Sequence, residues 1–275
     1  MAIAAPVAAA VFTKSRRLMP VELCFITPLS SLGHDIPSRC TRSHMMKTMT
    51  KQVCLSAAAC ALAAMALQPT AAAREKWSRW KPLFDGKTTT GWRGYKTQEM
   101  PAGWKVEDGV LSKSGSVEDI LTNDEFGDFD FRIDWKISDG GNSGIFYRGT
   151  EEYEKIYWSG TEYQLLDDIH AADNKTRLTC AGAAYGLYPS PPGHLKPVGD
   201  WNTTRIVAKG AHVEHWLNGV KLLEYELGSP DWGARVKASK FKDWPNYGRA
   251  KRGHFALQGD HEGALAFRNI RVRPM

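Results

Sequence analysis

Apolar and polar residues alternate most strictly along residues 129–138 (FDFRIDWKIS). Phe129, Phe131, Ile133, Trp135 and Ile137 fall on one side, and Asp130, Arg132, Asp134 and Lys136 on the other. A period of two predicts an antiparallel strand with one buried and one solvated face. Residues 104–113 and 213–226 each carry two short apolar runs around Asp108-Gly109 and Asn218-Gly219, dipeptides that predict tight hairpins. Shorter runs predict strands at 144–148, 161–168, 203–209, 254–258 and 265–272. No stretch sustains a helical period, although 235–244 has room for one short helical turn. Residues 171–185 and the proline-bearing 188–200 read as long loops. Many short strands, frequent turn signals and almost no helix predict an all-β, antiparallel jelly-roll β-sandwich.

Two of these strands raise a chemical question. In TEYQLLDD (161–168), Glu162, Gln164 and Leu166 share a face while Tyr163 and Leu165 share the other. In GGNSGIFYRG (140–149), Asn142, Gly144, Phe146 and Arg148 lie together. A sandwich whose outer sheet face forms an open groove would set Glu162, Gln164 and Arg148 side by side in it. The bland alternative is a surface ion pair of Arg148 with Glu162, worth little. Ordinary glycoside hydrolysis needs two carboxyl groups in fixed proximity, and this strand supplies no close pair. Asp167, Asp168, His170 and Asp173 offer oxygen and imidazole ligands for a divalent cation, or else a solvated loop tip. Gln258, Asp260 and His261 end another strand, where His261 is a candidate acid or base. His215 alternates with the apolar side of its strand and reads as a structural histidine.

Composition changes the picture once the leader is set apart. Residues 46–73 combine Lys47 and Lys51, an Ala-rich apolar run and an Ala71-x-Ala73 site, the layout of a secretory signal peptide. The apolar run is shorter than the roughly 20 residues of a spanning helix, so a retained membrane anchor is the lesser alternative. Residues 1–45 would then precede the true start, leaving 74–275 as a single exported domain with no membrane span, in the periplasm or outside a bacterial cell. The whole chain has 36 basic and 30 acidic residues; 7 and 2 of these lie in 1–73, so 74–275 carries 29 against 28. A near-neutral domain carries no nucleic-acid footprint. Cys180 alone remains there, which excludes an intrachain disulfide. All ten Trp and nine Tyr lie in the same segment, a composition that suits either stacking on sugar rings or an aromatic core.

The motifs PLFDGKTTTGW, GNSGIFYR, EYQLLDD, DWNTTRIVAKGAHVEHWLNG and GHFALQGDHEGALAFRNIRV, in this order, resemble the 3-keto-disaccharide hydrolase family, which includes 3-keto-glucoside 1,2-lyases and 3-keto-2-hydroxyglucal hydratases. The resemblance runs over 81–273 and implies a concanavalin-like jelly roll, export in many members, and action on glycosides oxidised at C3. Here Asp200 stands where the family usually has Glu before Trp-Asn, and Gly259 is interposed before Asp260-His261. The chemistry it implies is proton abstraction at C2, expulsion of the C1 substituent, and hydration of the resulting glucal. In that scheme Glu162 is the expected base, His261 its rival or the leaving-group acid, and Arg148 the group that polarises the C3 carbonyl. Gln164, Asn142 and Gln258 would bind substrate hydroxyls, and Asn202 and Trp201 would shape the groove unless Trp201 is core. Asp168 and His170 would hold a divalent cation if one is used. An oxidoreductase must supply the 3-keto sugar. A non-catalytic carbohydrate-binding module and a conventional endoglucanase-like hydrolase are the competing readings.

Overall fold

The computed structural model describes residues 79–275. The expected signal segment 46–73 and the stretch 1–45 before it lie outside the described residues. Among the described residues thirteen strands form two antiparallel sheets: β1 (Lys81–Pro82), β2 (Trp92–Gly94), β3 (Lys105–Glu107), β4 (Val110–Lys113), β5 (Ile120–Thr122), β6 (Phe129–Ile137), β7 (Asn142–Gly149), β8 (Thr161–Leu166), β9 (Asn202–Lys209), β10 (His212–Leu217), β11 (Val220–Glu226), β12 (His254–Leu257) and β13 (Leu265–Pro274). One sheet runs β11-β10-β9-β6-β13-β4-β3 with β1 on β13, and the other runs β2-β5-β12-β7-β8. The jelly-roll β-sandwich expected from the alternation is the fold observed.

The alternation of β6 is reproduced residue by residue. Its five apolar side chains are buried, and Asp130, Arg132 and Asp134 turn outward into ionic contacts on the far face. Phe131 stacks on Phe255 of the opposing sheet at 4.2 Å, and Phe129 meets the same ring edge-on at 4.7 Å. Each such buried ring removes apolar surface worth about 2–3 kcal/mol. Asp108-Gly109 and Asn218-Gly219 both make the expected two-residue turns, with positive φ at all four residues (50°, 78°, 49° and 87°). His215 is fully buried between the sheets: its Nδ1 lies 3.0 Å from the Gly182 carbonyl and its Nε2 lies 2.9 Å from the Tyr147 hydroxyl. A carbonyl only accepts, so Nδ1 carries the proton and Tyr147 donates to Nε2. Burial holds this imidazole neutral, with its pKa lowered to about 4.

One helix was not foreseen at its true position. Helix α1 spans Pro230–Ala238, with the Ser229 side chain capping the Trp232 N–H and Pro at its start. It is followed by a 3-10 turn at Lys240–Asp243. The Ser-Pro-Asp sequence is a helix-start signal, but the run is too short and polar to show a period. Together α1 and the turn pack on the aromatic cluster at one end of the sandwich, where Trp232 stacks on Tyr225 of β11 and Phe241 on Tyr247.

Candidate active site

The outward face of the β7–β8 pair answers the question posed by TEYQLLDD. The two strands are in register, with Gly144 opposite Gln164 and Phe146 opposite Glu162. Tyr163 and Leu165 enter the core, while Glu162 and Gln164 point to the other side. That side is covered: every β8 residue is buried. The strand ends the sheet, but loop backbone runs alongside it, with Gln164 N–H donating to Ala183, Gly182 N–H to Gln164 and Tyr185 N–H to Glu162. This pairing closes the edge and carries Tyr185 over the sheet face. From the other direction come the 3-10 turn Ile156–Trp158 and the turn bearing Lys240. The resulting pocket, open to solvent on one side, has a volume of about 220 Å³ and is lined by Glu162, Gln164, Asn142, Gln258, Asp173, Asp260, His261, Lys240, Tyr157, Trp158 and Tyr185.

Glu162 is 5 % exposed and its carboxyl group has no hydrogen-bond partner among the described residues. Burial pushes its pKa up to about 8; Lys240 opposes that shift, and Asp119, Asp173 and Asp260 add to it. Room for the carboxyl group comes from Gly144, where a Cβ would lie 2.3 Å from Glu162 Oε1. Gln164 donates from Nε2 to Asn142 Oδ1 at 3.0 Å, which leaves its Oε1 buried without a donor. Gln258 Oε1 and Asp260 Oδ1 are likewise buried and without a hydrogen bond. The pocket is therefore rich in acceptors awaiting donors, the complement of a ligand with several hydroxyl groups.

His261 is partly exposed at the pocket wall, its Nε2 3.8 Å from Asp260 Oδ1. The interposed Gly259 fits because its N–H donates to Asp119 at 2.8 Å, and a Cβ there would meet the Val117 and Glu118 carbonyls at 2.8 and 2.7 Å. Asp119 is buried behind this loop, and desolvation raises its pKa to about 6. Tyr185 donates to Asp173 at 2.8 Å.

Several expected site residues lie elsewhere. Arg148 does not join the groove. Against β12, His254 pairs with Gly149 and Ala256 with Phe146, so one extra residue is accommodated at Tyr147–Arg148. Arg148 has φ of 52° and its guanidinium turns away to the Gly127 and Gly210 carbonyls and Asp128. A bulge re-aims side chains in this way, and simple alternation fails across it. Trp201 and Asn202 also lie outside the pocket. The Trp201 ring lies under Arg268 and Lys136 on the eight-stranded sheet, and Asn202 Oδ1 accepts from Lys196 N–H and Asn218. Asp168 and His170 do not converge: Asp168 accepts from Ala181 N–H and Arg177, while His170 contacts Asp139 and Asp167. Asp139, Asp167 and His170 do bring ligand atoms within 4.8 Å of one another, but none of the three lines the pocket. Lys240, Tyr157, Trp158 and Tyr185 entered the site without having been singled out, because loops rather than strand faces deliver them, and Asp173, expected in a cation-binding cluster, lines the pocket apart from Asp168 and His170.

Residues 79–273 match the family model of the 3-keto-α-glucoside-1,2-lyase-like domain. The chain belongs to this family. Within curated proteins it is 35 % identical over 222 residues to a 3-keto-disaccharide hydrolase of Bacteroides thetaiotaomicron, covering 70 % of this chain and 77 % of that one. Two solved structures from Parabacteroides distasonis, both assigned provisionally as glycosyl hydrolases, are similar to it. One aligns with a TM-score of 0.67 at 34 % identity over 71 % of this chain and 94 % of its own; the other with 0.57 at 31 % over 72 % and 100 %. For a 3-keto-α-glucoside-1,2-lyase-like domain, the pocket on β7–β8 is the place where the described structure gathers an unpaired carboxyl group, an imidazole and hydroxyl-binding acceptors.

Proposed function

We infer that this protein is a carbohydrate-active enzyme that cleaves 3-keto-glycosides by elimination and hydration. The single observation that carries the reading is Glu162: a buried carboxyl group without a hydrogen bond, facing a pocket of sugar-ring size, with its pKa raised to about 8. A base of that strength suits removal of a C–H proton acidified by a neighbouring ketone. Glu162 takes the proton from C2, and electrons flow toward the C3 carbonyl. As the C1–O bond breaks, a double bond forms between C1 and C2, and His261 protonates the departing oxygen. Water adds back across that double bond in the second step, so the sum is hydrolysis. Gln164 and Gln258 accept hydrogen bonds from ring hydroxyls, and Asn142 holds the Gln164 amide with its oxygen inward.

A second reading has its own observation. Asp173 and Asp260 line the pocket with Glu162, so it holds more than one carboxyl group from different elements, and ordinary glycosidases use a pair of carboxyl groups. The experiment is incubation of the protein with a 3-keto-glucoside and with its unoxidised parent in D₂O, with and without chelator, followed by NMR. The elimination reading expects cleavage of the keto compound alone and deuterium at C2. Cleavage of the parent would overturn it in favour of ordinary hydrolysis, and binding of either sugar without cleavage would favour a binding module. A loss of activity with chelator would bring a cation into the scheme. The substrate's origin requires an oxidoreductase that oxidises glycosides at C3. Export through residues 46–73 belongs to the same proposal, and cell fractionation with N-terminal sequencing of the mature protein tests it: a cytosolic protein that retains residues 46–73 refutes it. Among the described residues no helix is long and apolar enough to cross a membrane.

A further inference from the structure

The pocket contains a cation with no counter-ion. Lys240 lines it, yet its ammonium group has neither a carboxylate nor a hydrogen-bond acceptor as partner among the described residues. What surrounds it is aromatic: Nζ sits 4.3 Å from the Tyr185 ring centroid, 5.3 Å from Phe241 and 5.8 Å from Tyr157. Ring faces hold a cation by their quadrupoles without neutralising it or occupying its donors. Carboxyl groups are near, since Glu162, Asp173 and Asp260 line the same pocket and Asp119 lies behind it, but none closes an ion pair with Lys240. On its own turn the neighbours Lys242 and Asp243 also make no bond to it.

We propose that Lys240 is the group that receives the C3 carbonyl oxygen and stabilises the negative charge that develops there, and that it thereby commits the pocket to oxidised sugars. An ammonium group offers only donors, and a ketone oxygen only accepts. The fully buried pocket atoms without partners, Gln164 Oε1, Gln258 Oε1 and Asp260 Oδ1, are acceptors and would meet hydroxyl groups. The ammonium of Lys240 is the pocket's cationic donor, suited to the carbonyl, and these buried acceptors suit the hydroxyls. Lys240 can have this role only if the elimination described above takes place.

The test uses Lys240→Met and Lys240→Arg in the full chain, assayed on a 3-keto-glucoside, with the unoxidised parent glucoside as a competitive inhibitor. Lys240 is solvent-exposed, so both variants should fold, which thermal unfolding verifies. The expected result is a fall in kcat of about 10²-fold for Lys240→Met, as when one donor to a developing oxyanion is removed. Partial rescue by Lys240→Arg, slowed deuterium exchange at C2 and an unchanged inhibition constant for the parent sugar should accompany it. The acid limb of kcat/KM should also move to higher pH, because the cation that favours ionised Glu162 is gone while Asp119, Asp173 and Asp260 still oppose it. A Lys240→Met protein with wild-type kcat, or with a higher KM alone, overturns the proposal. If wild-type protein fails to cleave the keto sugar, the elimination reading fails and takes this one with it; wild-type turnover with an indifferent Lys240→Met removes only Lys240.

Discussion

Replacing Glu162 with Gln separates the two consequences of burying that carboxyl group. The substitution keeps shape and removes both the proton acceptor and the possibility of charge. Glu162 has a folded-state pKa of about 8 against the ordinary glutamate value of 4.5. At pH 7 only about a tenth of it is ionised. The folded protein therefore binds more protons than the unfolded chain between these values. The stability that Glu162 contributes is complete below pH 4.5 and is lost as pH rises through 8, at up to about 1.4 kcal/mol per pH unit and roughly 5 kcal/mol in all. The amide of the Glu162→Gln variant would not titrate. Asp119, raised in the same direction, is present in both proteins and cancels in the difference. Urea unfolding of wild type and Glu162→Gln at pH 5, 6.5 and 8.5 should thus show the variant gaining on wild type as pH rises. On a 3-keto-glucoside the wild-type kcat/KM should increase with pH through about 8, and the variant should lose 10²–10⁴-fold, the usual contribution of a general base. Parallel stability curves would show that Glu162 ionises normally, and a variant with wild-type turnover would remove it from the mechanism.

Gly144→Ala would place a methyl group 2.3 Å from Glu162 Oε1 and 2.8 Å from its Cγ and Cδ, so the carboxyl group must swing aside. The fold should survive and kcat should drop by about 10²-fold, whereas an unchanged kcat would mean that the carboxyl group's position is not critical. Arg148→Met should lower stability by roughly 2–4 kcal/mol through loss of its bonds to Gly127, Gly210 and Asp128. Its kcat should stay at the wild-type value, and a selective loss of turnover at intact stability would return Arg148 to the site. His215, with its pKa lowered to about 4 from 6.5, should contribute stability that is present above pH 6.5 and falls by up to about 3 kcal/mol as pH drops to 4. Nitrogen NMR of the ring should find it neutral at pH 5, and titration near 6.5 would refute the burial argument.

The parts of the molecule that could be read from the sequence are those governed by a period. The inward set of β6, the two Asx-Gly hairpins and the opposed faces of β8 follow from alternation and turn chemistry, and each appears where expected. Glu162, Gln164, Asn142, Gln258 and His261 reach one pocket because four of the five stand on, or just beyond, paired strands, and the fifth lies on a loop following β12. Alternation misplaced Arg148 because a bulge carries no mark in a single sequence. It had nothing to say about Lys240, Tyr185 or Asp173, which loops deliver through contacts between distant parts of the chain. Asn202 illustrates a different limit: a polar residue in a conspicuous motif is expected at the groove, and its amide oxygen instead accepts from Lys196 N–H and from Asn218 in the β10–β11 turn.

Stability alone does not account for the composition of the β7–β8 face. A carboxyl group taken out of water without a donor is costly, and the same holds for each buried acceptor left unpaired. At Glu162 the facing residue is Phe146 and the neighbour across the strand is Gly144, neither of which offers a side-chain donor. An apolar residue there would pack on the adjoining cluster of Leu121, Phe146, Ile156 and Ala256 without that penalty. Local features that conflict with stability and converge on one cavity are the signature of a site shaped for an occupant. An occupant that relieves the conflict presents hydroxyl donors to Gln164, Gln258 and Asp260, and under the elimination proposed above it also brings the C2 proton to Glu162. In the proposed reaction a 3-keto sugar fits both roles, because its hydroxyl groups supply the donors and its carbonyl makes the adjacent C–H acidic enough for a carboxylate base.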